Sequence, residues 1–159
     1  MGNLEKAIEK LEAIIDNWED TDPEYLPSNL RKLRHRIFFV HRVLERSVEI
    51  LIIKKTSSPF ADKISNEERL GLNRSILIIL ERVSFIRKIE ILKDLGVETT
   101  KSLYKNLLEV NKIRNEFAHP EAFALRDYED KEERWKILTL LVEAMEEFNK
   151  LFAAIEVNN

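Results

Sequence analysis

The longest regular pattern in this sequence is SNLRKLRHRIFFVHRVLERSVEILIIKK, residues 28–55. Mostly apolar residues recur in it with heptad spacing, which places them along one side of an α-helix. The positions are Leu30, Leu33, Ile37, Val40, Leu44, Ser47 and Leu51. Ser28 can cap the first turn, because its hydroxyl can accept a hydrogen bond from a free backbone amide. The pattern predicts a helix that packs along its whole length. An interior position in a bundle explains such a pattern more often than a dimer seam does.

Charge is distributed unevenly between this helix and the residues that precede it. Residues 1–27 contain two Lys against eight Asp and Glu, a net charge of −6, whereas residues 28–55 contain eight Lys and Arg against two Glu, a net charge of +6. Six of these basic residues spread around the helix: Arg31, Lys32, Arg34, Arg36, Arg42 and Arg46. They could attract a phosphate backbone, or they could pair with acidic helices of the same chain.

Further helices are predicted on both sides of this segment. An amphipathic helix should end near Trp18, because apolar residues recur before it at steps of three and four, and residues 20–27 should form a loop. After the Ser-Ser-Pro break near residue 58, Ser65 and Glu68 have the spacing of a capping box, so a new helix should begin near Asn66. Helical character continues to Gly96, which suits a C-cap. The sequence does not decide whether this stretch breaks near Ser84.

The last third of the chain predicts two more helices. Thr99 or Thr100 should cap a helix that stops by His119, since Pro120 disfavours helix in the residue before it. A final amphipathic helix is outlined by Trp135, Leu138, Leu141, Val142, Met145, Phe148, Leu151 and Phe152. We therefore predict an all-α, single-domain bundle of about five helices over residues 1–159.

Composition excludes several classes of function. The chain has no Cys and only three His, so a disulfide framework and a thiolate metal site are excluded, and a zinc site is not expected. It has no Gly-rich phosphate loop and no apolar run of membrane-spanning length. We expect a cytoplasmic protein without a metal or a cofactor.

One charged residue, Arg114, interrupts an apolar surface of the helix before His119. On a helical wheel it falls within the apolar arc of Leu103, Leu107, Val110, Ile113 and Phe117. A guanidinium keeps its proton and is costly to bury alone. Arg114 must therefore pair with an internal acid such as Glu81 or Glu90, reach the edge of the bundle, or bind an anionic ligand.

The segment Arg114-Asn115-Glu116-Phe117-Ala118-His119 resembles the Arg-x4-His motif of the HEPN superfamily, with its polar residue after the arginine. The resemblance is strongest over residues 84–120, and HEPN domains are helical bundles. It implies a metal-independent ribonuclease in which His119 abstracts the ribose 2′-hydroxyl proton and Arg114 stabilises charge on the phosphate. Asn115 is the third residue of the implied site. Because the motif supplies one imidazole per chain, a homodimer would supply the second.

The context of the motif also resembles the HEPN branch related to the mannitol operon repressor, whose members need not be nucleases. That resemblance implies a non-catalytic module for binding or transcriptional regulation. Such a module could also be half of a toxin–antitoxin pair, with a nucleotidyltransferase-like antitoxin as its partner. Structural roles stay open as well: Arg114 could form a buried ion pair, His119 could interact with the carbonyls that end its helix, and Asn115 could be merely solvated.

Overall fold

The computed structural model describes residues 28–119 and 130–157, and this part of the chain folds as five α-helices without a strand. The helices are α1 (Ser28–Ser57), α2 (Asn66–Leu80), α3 (Phe85–Asp94), α4 (Lys101–Ala118) and α5 (Lys131–Val157), with a 3₁₀ turn at Ser58–Phe60. The predicted all-α bundle is confirmed. The predicted helix before Trp18 and the loop at residues 20–27 lie outside the described residues. None of the five helices is long and apolar enough to cross a membrane.

Helix α1 forms the centre of the bundle, and it packs against each of the other four helices. Five of its heptad positions lie in the core at 6% exposure or less: Leu33, Ile37, Val40, Leu44 and Leu51. Ser47 is half-buried. The heptad pattern is therefore explained by an interior position, and this side of α1 does not form an exposed seam.

Local signals at the helix ends explain where the chain turns. The Ser65 hydroxyl accepts a hydrogen bond from the Glu68 amide at 3.1 Å, and the Glu68 carboxylate accepts one from the Ser65 amide at 2.9 Å. This reciprocal pair is the predicted capping box. The stretch does break at Ser84, whose hydroxyl caps α3 by accepting from the Arg87 amide. Two short helices therefore replace one long helix.

The turn between α3 and α4 depends on a glycine. Gly96 has a φ of +82°, the left-handed conformation that glycine adopts without a steric penalty. Its amide donates to the Lys93 carbonyl and the Val97 amide donates to the Leu92 carbonyl, which is the Schellman pattern that ends a helix. Thr100 then caps α4 by accepting from the amide of Leu103 at 3.0 Å. The predicted C-cap is confirmed, and Thr100 rather than Thr99 is the N-cap.

Helices α4 and α5 are held together at one end by Glu147. Its carboxylate accepts hydrogen bonds from Thr100, Ser102 and Asn106 of α4 at 3.3, 3.0 and 2.8 Å. The buried side of α5 is formed by Ile137, Leu141, Ala144, Phe148 and Ile155. Trp135, which we expected on that side, is 71% exposed because it lies about 160° around the helix from Ile137.

Candidate functional site

Helix α4 positions the motif residues through its buried side. Leu103, Leu107, Val110, Ile113 and Phe117 are all at 1% exposure or less. Arg114 lies within this apolar arc, but it is only half-buried, and its guanidinium lies against Phe38 of α1. The helix ends at Ala118, as predicted, and His119 has an extended backbone. His119 is exposed at this end of the helix.

The guanidinium of Arg114 is held by an aromatic ring and an amide. Its Cζ lies 5.2 Å from the centre of the Phe38 ring, and its Nη1 donates a hydrogen bond to Asn115 Oδ1 at 3.1 Å. The Arg34 guanidinium lies 5.3 Å from the centre of the same ring. Among the described residues, no carboxylate lies within 4 Å of Arg114. The internal acids that we considered as partners do not pair with it, since Glu90 binds Arg87 instead.

Arg114 forms part of the wall of a half-open groove of about 700 Å³ between α1, α4 and the end of α2. We call this cavity the Arg114 groove. Its lining residues are Phe38, Phe39, His41, Arg42, Val43, Glu45, Arg46, Glu81 and Arg114. Three guanidiniums therefore face two carboxylates, and Arg42, like Arg114, has no carboxylate within 4 Å in the part of the chain that the structure describes. The groove offers two arginines for binding an anion.

The structure brings together Arg114 and Asn115 but leaves His119 away from the groove. His119 is not among the lining residues. His119 lies one residue past the end of α4, and Arg114 is the one predicted site residue that lines the groove.

The histidine that does line the groove is His41, to which the sequence analysis assigned no function. It is 7% exposed, its Nε2 lies 3.1 Å from Asn111 Oδ1, and its ring makes an edge contact with Phe85 at 4.8 Å. Burial lowers the pKa of His41 and outweighs the Asn111 hydrogen bond and the Glu45 charge, which raise it. Burial therefore favours the neutral form of the His41 imidazole. One sequence signal could have identified His41 as buried: it lies between Ile37 and Leu44 on the apolar arc of α1.

A buried ion network adjoins the groove and shares Glu45 and Arg46 with its lining. Lys88 is 2% exposed, and its Nζ donates to Glu45 Oε1 and Glu49 Oε1, each at 2.7 Å. Arg46 donates to the other Glu49 oxygen at 2.9 Å. Burial alone would raise the pKa of Glu49 and lower that of Lys88, but these hydrogen bonds outweigh it in both cases. A second cavity of about 180 Å³ lies against this network.

No family model, no curated protein and no solved structure matches the chain. The HEPN resemblance therefore depends on the motif residues and on the helical bundle that carries them. Within residues 28–119 and 130–157, no group of His, Asp and Glu is arranged to hold a metal ion.

Proposed function

We propose that the chain is a HEPN-type, metal-independent endoribonuclease that acts in the cytoplasm as a homodimer. The observation that carries the proposal is the environment of Arg114. This cation lies on the wall of a groove, fixed by Phe38 and Asn115, and no carboxylate of the described residues neutralises it. A fixed guanidinium on a groove wall suits a phosphate, because its planar donors match two phosphate oxygens.

In the proposed reaction, the ribose 2′-oxygen attacks the adjacent phosphorus and the bond to the 5′-oxygen of the next nucleotide breaks. His119 takes the proton from the 2′-hydroxyl, and Arg114 stabilises the charge that gathers on the non-bridging oxygens. Asn115 orients Arg114 through its hydrogen bond. A second imidazole gives a proton to the leaving 5′-oxygen, so the products are a 2′,3′-cyclic phosphate and a free 5′-hydroxyl.

A second copy of the chain is needed in this mechanism. One chain supplies one motif histidine, and His119 does not reach the groove that holds the Arg114 of its own chain. An arrangement with two-fold symmetry would bring two Arg114 and two His119 side chains to one composite site. Each imidazole would then serve one of the two proton transfers.

A second candidate function is a non-catalytic HEPN-like module that binds RNA or a protein partner. The position of His119 favours it, since only Arg114 of the three motif residues lines the groove. This candidate includes a regulator similar to the mannitol operon repressor and a toxin bound by a nucleotidyltransferase-like antitoxin. It predicts binding that depends on Arg114 without any cleavage.

An RNA cleavage assay with purified protein in the presence of a chelator tests both candidates. Wild-type protein should release 2′,3′-cyclic phosphate ends, and His119→Ala should lower the rate by about 10²–10⁴-fold, the usual contribution of a general base or acid. His35→Ala is the matched control and should cleave like the wild type. Arg114→Lys keeps the charge but loses the planar donor pair, so it should also be slow.

The outcomes separate the candidates. Cleavage by His119→Ala at the wild-type rate would rule out this mechanism. Wild-type protein that binds RNA without cleaving it, and loses binding in Arg114→Ala, would establish the non-catalytic module instead.

A further inference from the structure

Glu81 is an acid at an unfavourable position in its helix. It is the C-cap of α2, where the negative end of the helix dipole favours a basic residue over an acidic one. The last turn of α2 contains no basic residue that could offset the charge. The end of α2 is therefore not stabilised by this carboxylate.

Cations lie around Glu81 without pairing with it. Glu81 lines both the Arg114 groove and the second, smaller cavity, and Arg42 and Arg46 line both as well. Lys88 lines the smaller cavity. Arg46 and Lys88 bind other glutamates, and no cation in the described ranges lies within 4 Å of Glu81. Because Glu81 is exposed, its carboxylate is accessible to a ligand in the groove.

The Arg114 groove therefore contains unpaired groups of both signs. Arg42 and Arg114 have no carboxylate within 4 Å in the described part of the chain, and Glu81 has no cation. A complementary ligand combines a negative group for the guanidiniums with hydrogen-bond donors for the carboxylate. The groove volume of about 700 Å³ is within the usual size of a ligand site, so it can accommodate a nucleotide.

Among the RNA bases, guanine is the best complement to a carboxylate. Its Watson–Crick edge has two adjacent donors, N1–H and the N2 amino group, which match the two acceptor oxygens of a carboxylate. Adenine and cytosine each have one amino group beside a ring acceptor, and uracil has one donor between two acceptors. Proteins read this edge in single-stranded RNA, where the bases are unpaired.

We propose that Glu81 selects a guanine base for the Arg114 groove, its two carboxylate oxygens accepting hydrogen bonds from N1–H and the N2 amino group. A phosphate of the same strand binds Arg114 and Arg42. This inference rests on the proposed function, since it names the base that accompanies the phosphate on Arg114. It adds a specificity-determining residue from α2 to a site that the motif places on α4.

A basic side chain of a protein partner would also satisfy Glu81. It would, however, bring a further positive charge beside Arg42 and Arg114, whose charges no carboxylate within the described ranges neutralises. A guanosine nucleotide satisfies the carboxylate and the guanidiniums together. The charge balance of the groove therefore favours the nucleotide.

Fluorescence anisotropy with labelled uridine hexamers tests the assignment. The hexamers carry 2′-fluoro groups and so lack the attacking hydroxyl, and a chelator is present. One hexamer contains a single guanosine, and two matched hexamers contain inosine or adenosine at that position. Inosine keeps N1–H but lacks the N2 amino group, so its dissociation constant should be about tenfold higher, the effect of one hydrogen bond to a charged group. Adenosine should bind no better than inosine.

Glu81→Gln provides a test that a general charge effect cannot pass. A side-chain amide has one acceptor and one donor, which match the N6 amino group and N1 of adenine. The variant should therefore bind the adenosine hexamer more tightly than the guanosine hexamer. Glu98→Gln removes the same charge at an exposed position outside the groove, so it should keep the wild-type order. Circular dichroism checks that both variants keep their helices.

Four results would overturn the assignment of Glu81. Two of them are equal binding of all three hexamers by wild type and a guanosine preference that survives in Glu81→Gln. A third is tighter binding of every hexamer by Glu81→Gln by one common factor, which would mean that Glu81 only repels phosphates. None of these three affects the proposed function. The fourth is wild-type protein that binds no hexamer, which would favour a basic protein side chain as the ligand of Glu81. The RNA cleavage assay then decides whether the proposed function falls as well.

Discussion

Lys88→Met should strongly destabilise the bundle, because it removes the only cation that contacts Glu45 and one of the two that contact Glu49 in the described residues. The Lys88 side chain is 3% exposed and that of Glu49 is 8% exposed, so water can replace little of the lost interaction. Breaking a buried ion pair by removing one partner costs about 3–5 kcal/mol. For a chain of this size, that cost corresponds to a fall in melting temperature of roughly 6–20 °C.

Thermal and urea unfolding followed by circular dichroism measure this effect. Lys136→Met is the matched control, since Lys136 also binds a glutamate, Glu133 at 3.0 Å, but its side chain is 67% exposed. Its loss should leave the melting temperature unchanged within error, as expected for a surface ion pair.

The pH dependence of stability in the Lys88 variant provides a second test of the ion network. Hydrogen bonds hold the pKa of Glu49 below its usual value, so the stability that this group contributes is present above about pH 4.5 and is lost as the pH falls through the folded pKa. In Lys88→Met, Glu49 keeps only Arg46 as a cationic partner, so its carboxylate is protonated more easily and the difference from wild type should shrink as the pH approaches 4. A variant that melts within a degree or two of wild type at pH 7, or whose deficit is the same in acid, would refute the assignment of Lys88 as the counter-ion of both glutamates.

Two further predictions concern His41 and Glu147. Burial lowers the pKa of His41 below 6.5, so the unfolded chain binds a proton more readily than the folded chain does. The stability of the fold should therefore decrease as the pH drops below about 6.5, and His41→Gln should flatten this part of a stability–pH profile. Parallel profiles for wild type and variant would contradict the argument. Glu147→Ala leaves Thr100, Ser102 and Asn106 without their shared acceptor, so it should lower the free energy of unfolding in urea by about 1–2 kcal/mol. Glu143, an exposed residue of the same helix, provides the control, and Glu143→Ala should have a smaller effect.

The sequence predicts the helices well because their limits depend on local chemistry. Ser65 and Glu68 satisfy each other's amides within one turn, and Gly96 adopts a conformation that few other residues accept, so neighbouring residues suffice to recognise both ends. The break at Ser84 is different. The apolar spacing continues across it, so periodicity alone does not show the break, although the Ser84 hydroxyl caps α3 once it forms.

The site is less predictable because it depends on residues from different helices. The motif identifies Arg114 and Asn115, but the groove is completed by His41 and Arg42 of α1 and by Glu81 at the end of α2. Helical periodicity places His41 on a buried side, yet it does not show that Asn111 of α4 is the hydrogen-bond partner. Trp135 illustrates the opposite error, since an aromatic residue near the start of an apolar pattern lies on the exposed side of α5.

The surroundings of Lys88 differ from those of Arg114, for which we propose a role in anion binding. Both lie at the apolar arc of a helix that packs against α1, and both carry a charge that is costly to remove from water. The fold gives Lys88 two carboxylates at 2.7 Å, which is the arrangement expected when a charge is there to join helices. Arg114 instead contacts the Phe38 ring and the Asn115 side-chain amide and lines the groove. Glu81 lines the same groove but is not within ion-pair distance of Arg114. If Arg114 served stability alone, Arg114→Met should lower the melting temperature and should leave RNA binding unchanged. Loss of RNA binding with retained stability is the result that the groove predicts, and it distinguishes the two roles without requiring cleavage.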